Sequence, residues 1–242
     1  MAVLSLVEMI GLKILVAHHK PYPMPADPAY CPFDVRTAEL DHRHWCELTA
    51  LYCAWKTGAD EVLGLVHYRR HFKGRDGIAS TAEITAALDG VDVILPCKRR
   101  YWIETNYSHY VHAHPAEGLD RTRAIIAVRC PEYLDSFDAV MKRRGGHRFN
   151  MLVMRRDVLN RYCTWLFGIL FELERQLDIS SYSPYDARVF GFVAERLLDV
   201  WIGANRVPYR ELRVLNLEPQ HWVRKIIAFL RRKFLAKGTI AA

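Results

Sequence analysis

Four short apolar runs constrain this fold more than any other feature: KILVA at Lys13–Ala17, EVLGLV at Glu61–Val66, VDVILP from Val91 and FNMLVM at Phe149–Met154. Each is too short for a stable helix and is bounded by polar or turn residues, the pattern of strands buried on both faces. Between them the apolar spacing changes to three and four residues. Asp41–Thr57 puts Trp45, Leu48, Tyr52 and Trp55 on one helical stripe, and Gly58 supplies a stop. Further helices are predicted over Thr81–Leu88, Leu119–Val128, Tyr133–Arg143 and Asp157–Leu177. Ser183 followed by Pro184 predicts the N-cap of another, running to Ile202. PYPMPADPAYCP predicts a loop, and Val207–Leu215 a last strand. Strands alternating with helices imply an α/β sheet covered by helices, which binds ligands beyond the carboxyl ends of its strands.

A chain of 242 residues, 51% of them hydrophobic, buries a full core without cross-links. Its six cysteines include no CxxC pair, which fits reduced thiols better than disulfides or a zinc site. The net charge of +7 calls for an anionic partner, whether a phosphate-bearing substrate, a nucleic acid or an acidic lipid surface. No helix-turn-helix, zinc finger or RNA-recognition motif is present, so a nucleic-acid partner is not expected and a basic nucleic-acid-binding protein is only the runner-up reading. No run of 18 apolar residues predicts a transmembrane helix. The opening MAVLSLVEMIGLKILVAHHK contains Glu8 and lacks a basic head and a cleavage site, so it reads as a leader into the first strand. We expect one domain over residues 1–220 and a tail over 221–242. That tail sets Arg224, Lys225, Arg231, Arg232, Lys233 and Lys237 among Trp222, Ile226, Phe229 and Leu230 at helical spacing. Such a helix lies on an anionic membrane; packed back on the domain, it would instead turn its cations to water.

Four clusters can carry chemistry. His18 and Lys20 follow the first strand, and His67, Tyr68, Arg69 and Arg70 follow the second, where paired arginines suit a pyrophosphate or form a solvated basic loop. Glu104, Tyr107 and His109, in YWIETNYSHYVHAH, suit stacking and hydrogen bonding of a base or sugar, or pack as an aromatic lid. His109, His112 and His114 lack the spacing of a metal site. His147 and Asn150 bracket the entry to FNMLVM. The last predicted long helix is apolar except for a strip of Arg188, Glu195 and Asp199. Glu195, with Asp199 next in line, is a candidate general base if the strip faces a cleft, and a surface ion pair if it does not.

In order, the segments KILVAHHKPYPMP, CELTALYCAWK, GLVHYRRHF, YWIETNYSHY, GHRFNMLVM and SPYDARVFGFVAERLLDVW resemble a bacterial family of capsular and exopolysaccharide glycosyltransferases, long catalogued as a domain of unknown function. The resemblance implies a single GT-A-like, Rossmann-like nucleotide-diphosphosugar transferase domain. It implies a UDP-sugar donor, galactofuranose or galactose among the sugars, and a lipid-linked saccharide acceptor in capsule, exopolysaccharide or O-antigen synthesis. The enzyme would work as a peripheral protein on the cytoplasmic face of the plasma membrane. Two departures stand out. Phe33–Trp45 is shorter than the family's insert there, which leaves an inactive scaffold of an assembly complex as an alternative. And His67-Tyr68-Arg69 stands where many GT-A enzymes keep a metal-binding Asp-x-Asp. No cofactor is therefore firmly implied; a divalent metal is compatible with the fold, but arginines are expected to neutralise the phosphates.

Overall fold

The computed structural model describes residues 11–218. The leader, the boundary at residue 220 and the basic tail lie outside them. Among the described residues no helix is long and apolar enough to cross a membrane.

The chain enters on strand β1 (Leu12–His18), and its second strand, β2 (Tyr30–Asp34), lies beside the first in parallel, from Ile14↔Tyr30 to His18↔Asp34. The expected proline-rich loop holds as far as Ala29, and only its last residues, Tyr30, Cys31 and Pro32, enter this strand. Pro32 is compatible with the strand because β2 pairs with β1 alone and leaves its other edge without a ladder to complete. Two helices follow, α1 (His42–Trp45) and α2 (Leu48–Thr57), where the spacing predicted one. The break is at Cys46, whose φ of 54° and ψ of −131° no helix accommodates. Strand β3 (Val62–His67) is buried at every residue and runs parallel to β1. It turns through Tyr68 and Arg69 into β4 (Arg70–Phe72), with His67 opposite Arg70.

Helix α3 (Thr81–Ala87) opens with a capping box, in which Ser80 and Glu83 satisfy each other's backbone N–H groups. Strand β5 (Val93–Pro96) leads to a short ribbon of β6 (Arg99–Arg100) and β7 (Gly145–Gly146), which brackets helices α4 (Asn106–Val111), α5 (Glu117–Arg129) and α6 (Leu134–Lys142). Strand β8 (Leu152–Arg155) begins later than the expected Phe149, because Phe149 and Asn150 hold φ values of 77° and 53° and turn the chain into the sheet. Helix α7 (Arg156–Gln176) comes next. Helix α8 (Val189–Asn205) starts six residues beyond the predicted cap. The Ser183 hydroxyl instead bonds Asp186, at the head of a 3₁₀ turn over Asp186–Arg188. The expected last strand divides into β9 (Tyr209–Leu212) on β5 and β10 (Val214–Asn216) on β4.

The main sheet runs β2-β1-β3-β8-β5-β9, with β8 antiparallel to both neighbours and the other adjacent pairs parallel. Alternate residues of its strands feed two cores. Leu15, Leu63, Leu65, Leu95 and Met154 face the large helical layer, where Trp45 stacks on Phe190 with ring centroids 4.7 Å apart. Ile14, Val16, Val66, Ile94 and Val153 face a thinner layer with Ile84, Tyr30 and Phe72. A period of two on a sheet covered on both sides makes each strand read as a continuous apolar run, which is why these strands were visible in the sequence.

Candidate functional site

The carboxyl ends of β1 and β3 open into a cleft with two lobes, of about 640 and 260 Å³, which share Cys46, Glu47, Arg69 and Arg188. His18 and His19 reach the larger lobe from β1, and His42, Arg43 and His44 from α1. The short Phe33–Trp45 segment therefore helps to wall the cleft.

At the end of β3, the buried His67 accepts the Arg69 backbone N–H on Nδ1 at 3.2 Å. Burial, with Arg69 and Arg70 nearby, pushes this imidazole down to about 2, so it is neutral near pH 7 and carries its proton on Nε2. That N–H points at Glu47 Oε1, 3.5 Å away. Glu47 enters the cleft because of the kink at Cys46. The Cys46 thiol, pushed up to about 12 by burial, accepts a hydrogen bond from Arg188 Nε at 3.1 Å. It also packs on Gly191, where a Cβ would stand 3.1 Å from the sulfur. Burial raises the Glu47 carboxyl above the ordinary glutamate range against the pull of Arg188 and Arg70, and its side chain is 16% exposed. A buried acid whose proton affinity is raised, in a cleft, has the properties of a general base.

The smaller lobe carries six arginines, Arg69, Arg70, Arg99, Arg148, Arg188 and Arg196, against two carboxylates, Glu47 and Glu195. Arg70 lies over the Phe149 ring at 4.4 Å and is lowered by burial and by Arg69. Arg69 pairs with Glu218 at 3.5 Å, yet its buried Nε has no hydrogen-bond partner among the described residues, nor has Arg196 Nε. Unused donors and an excess of cations in a concave site suit a ligand rich in anionic oxygens. Arg148 is the exception, because its guanidinium is occupied by Asn106 Oδ1 at 2.5 Å, Tyr101 Oη at 3.2 Å and Asp199 Oδ2 at 3.3 Å. Glu195 Oε1 accepts the Phe149 N–H at 2.9 Å and so supports the strained turn into β8, while Oε2 stands 3.5 Å from Arg196. Asn150 donates to the Gly191 carbonyl at 3.2 Å.

Of the residues singled out from the sequence, His18, His67, Arg69, Arg70, His109, His114, Asn150, Arg188 and Glu195 line this cleft. The others lie around it. Lys20 sits over the Tyr68 ring and pairs with Glu218 at 3.5 Å, and Tyr68 is buried beside His19 and Tyr22. The Glu104 carboxylate bridges His109 and His112, 2.8 Å from each Nδ1, so it orients His109 from behind. Tyr107 is at the surface, donating to Asp120 at 3.0 Å. His147 and Asp199 form a buried pair (Nδ1 to Oδ1, 2.5 Å) below the ribbon, facing a concavity on its other side. His114 turns away from the other two histidines to Asp186, and among the described residues no three acidic, histidine or cysteine side chains converge as metal ligands. Glu47, Arg99 and Arg196 were not anticipated. The Glu47 signal was present in CELTALYCAWK, as an acid between the apolar stripe and a cysteine, but only the kink aims it.

The sheet order and the strand-end cleft define a GT-A-like α/β domain. The chain belongs to the family described as Domain of unknown function (DUF4422), which residues 41–206 match. It is also similar to the structure of the WbbM bifunctional glycosyltransferase in its apo form, with a TM-score of 0.77 and 25% identity over 86% of this chain and 45% of that one. The chain thus spans less than half of WbbM's length. No curated protein matches it.

Proposed function

We propose that the chain is a hexosyltransferase which moves a sugar from a UDP-sugar, galactose or galactofuranose among the candidates, to a hydroxyl of a lipid-linked saccharide in the assembly of a surface polysaccharide. The observation that carries this reading is the excess of arginines over carboxylates in a cleft at the strand ends of a GT-A-like fold. Arg69, Arg70 and Arg188 hold the diphosphate. The acceptor hydroxyl loses its proton to a carboxylate as its oxygen bonds the anomeric carbon. The bond from that carbon to the phosphate oxygen breaks, and the diphosphate leaves with the electron pair, its charge stabilised by the arginines.

Two carboxylates reach the centre. Glu47, at the junction of the lobes and with raised proton affinity, is assigned as the base. Glu195, the base expected from the sequence, is the second reading, favoured by its place in the smaller lobe. Calorimetry with UDP and UDP-sugars, followed by turnover of Glu47→Gln and Glu195→Gln, tests both. The base variant is expected to bind UDP normally and lose about 10²–10⁴-fold in turnover. Absence of UDP and UDP-sugar binding to the parent chain rejects the function. Near-normal turnover in either variant removes that residue from the base role.

A further inference from the structure

Outside the cleft, the β6–β7 ribbon carries a second feature. Arg99 pairs with Gly146 and Arg100 with Gly145, and beyond them the Tyr101 and Asn106 N–H groups donate to the Arg144 and Arg143 carbonyls at 2.8 and 2.7 Å. The segment between those anchors is fixed at both ends. The Tyr101 ring lies on His109 with centroids 3.9 Å apart, and Glu104 is held by two histidines. Thr105 caps α4 in a box with Ser108. Between these fixed points Trp102 is 87% exposed and Ile103 68% exposed. Isolated exposed apolar residues are ordinary. An indole and an adjacent isoleucine displayed on a pinned loop are a different matter, because nothing in the local packing requires them.

The surroundings are cationic. Arg100, Arg143 and Arg144 are exposed and form no salt bridge among the described residues, while Lys142 beside them acts on Asp138, which Arg123 already holds. The acids nearest in the adjoining concavity, Asp199 and Glu211, are already engaged, Asp199 by His147 and Arg148 and Glu211 by Lys98 and His147. The positive charge on the ribbon is therefore not cancelled locally.

We infer that the β6–β7 ribbon and its Trp102–Ile103 tip form a docking surface for an anionic phospholipid bilayer. Two apolar side chains are far short of the area of a stable protein interface. They are sufficient at a lipid surface, where an indole settles at headgroup depth, an aliphatic neighbour enters the acyl boundary, and flanking cations meet anionic headgroups. Arg99 belongs to both the ribbon and the cleft, so docking here brings the cleft beside the headgroups. The inference adds a second, separate contact to the membrane placement expected from the tail, and it stands whether or not the cleft transfers a sugar.

The test uses the full chain with vesicles of phosphatidylcholine alone or mixed with phosphatidylglycerol, at low and high salt. Binding is expected only to the mixed vesicles and to weaken with salt. Both Trp102→Ser/Ile103→Ser and Arg100→Glu/Arg143→Glu/Arg144→Glu are expected to weaken it about tenfold or more. Arg161→Glu, on the exposed side of α7, is expected to leave it unchanged. UDP binding by calorimetry reports separately on the cleft, and its retention in the ribbon variants shows that they fold. Parent-like sedimentation of both ribbon variants overturns the inference, as does equal binding to the uncharged vesicles. It is also overturned if Trp102→Ser/Ile103→Ser sediments as the parent does but loses affinity for a soluble oligosaccharide, which makes the tip a sugar contact.

Discussion

Single side chains in this protein are set by whether burial is compensated. Arg70 is half-buried, with an aromatic face beneath it and two glutamates across the cleft, so a diphosphate oxygen is a better partner for it than water. Arg70→Ala is expected to weaken UDP binding by about 1.5–3 kcal/mol, the scale of a hydrogen bond to a charged group. Arg69→Ala, whose side chain already shares Glu218, is expected to fall at the lower end. Calorimetry in the presence of EDTA reads both, and an unchanged affinity in the two variants rejects the assignment. His71 on β4 is fully buried and neither ring nitrogen has a partner among the described residues. Burial pushes it down to about 4. The unfolded chain therefore binds a proton below about 6.5 that the folded chain refuses until about 4, so stability present at neutral pH is lost as pH falls through that window. His67, lower still, adds to the same loss. His71→Leu is expected to raise the urea midpoint at pH ~5 more than at pH ~7. An equal shift at both values shows that the imidazole does not titrate on unfolding.

Among elements, the ribbon, the turn that follows it and α8 are joined by one polar cluster. Asp199 on α8 accepts the His147 N–H at 3.1 Å, pairs with the His147 ring and touches Arg148. Gly146 leaves room for it, because a Cβ there would overlap the Asp199 carboxylate. Gly146→Ala is expected to cost about 3 kcal/mol, the scale of breaking a buried charge pair. Chemical denaturation measures this, and a loss below about 1 kcal/mol shows that α8 can shift aside. The cluster also marks the limit of what the sequence disclosed. The four apolar runs located β1, β3, β5 and β8, and the spacing in Asp157–Leu177 located α7, because burial on a sheet or helix face writes a period into the chain. The cysteine kink, the edge strand containing Pro32 and the 3₁₀ turn before α8 left no period, since each depends on contacts with distant segments: Gly191 and Arg188, β1, and His114, which bonds Asp186. The candidate site followed the same rule. Arg69, Arg70 and Glu195 were legible from their places beside recognisable elements. Glu47 is aimed by a backbone conformation that only the packed structure enforces.

At the scale of the whole molecule, charge is distributed unevenly. One group of cations faces into the cleft and another faces out from the ribbon, and the sequence beyond residue 220 adds Arg224, Lys225, Arg231, Arg232, Lys233 and Lys237 among apolar residues. We propose that this segment, whose cations and apolar residues alternate at the spacing expected of an interfacial helix, rests on an anionic membrane. Each cation on an anionic surface is worth about 1 kcal/mol, so under this proposal the tail would be the larger anchor and the ribbon the contact that orients the cleft. On that proposal a lipid-linked acceptor and the cleft would meet in two dimensions. Sedimentation with vesicles containing phosphatidylglycerol is expected to bring down the full chain at low salt and release most of it at high salt. A chain ending at Gln220 is expected to bind more weakly but measurably, through Trp102, Ile103 and the ribbon arginines. Equal binding by the two chains removes the tail from the anchor. If both remain in the supernatant at low salt, the protein does not work on a membrane surface, and its acceptor must reach the cleft from solution.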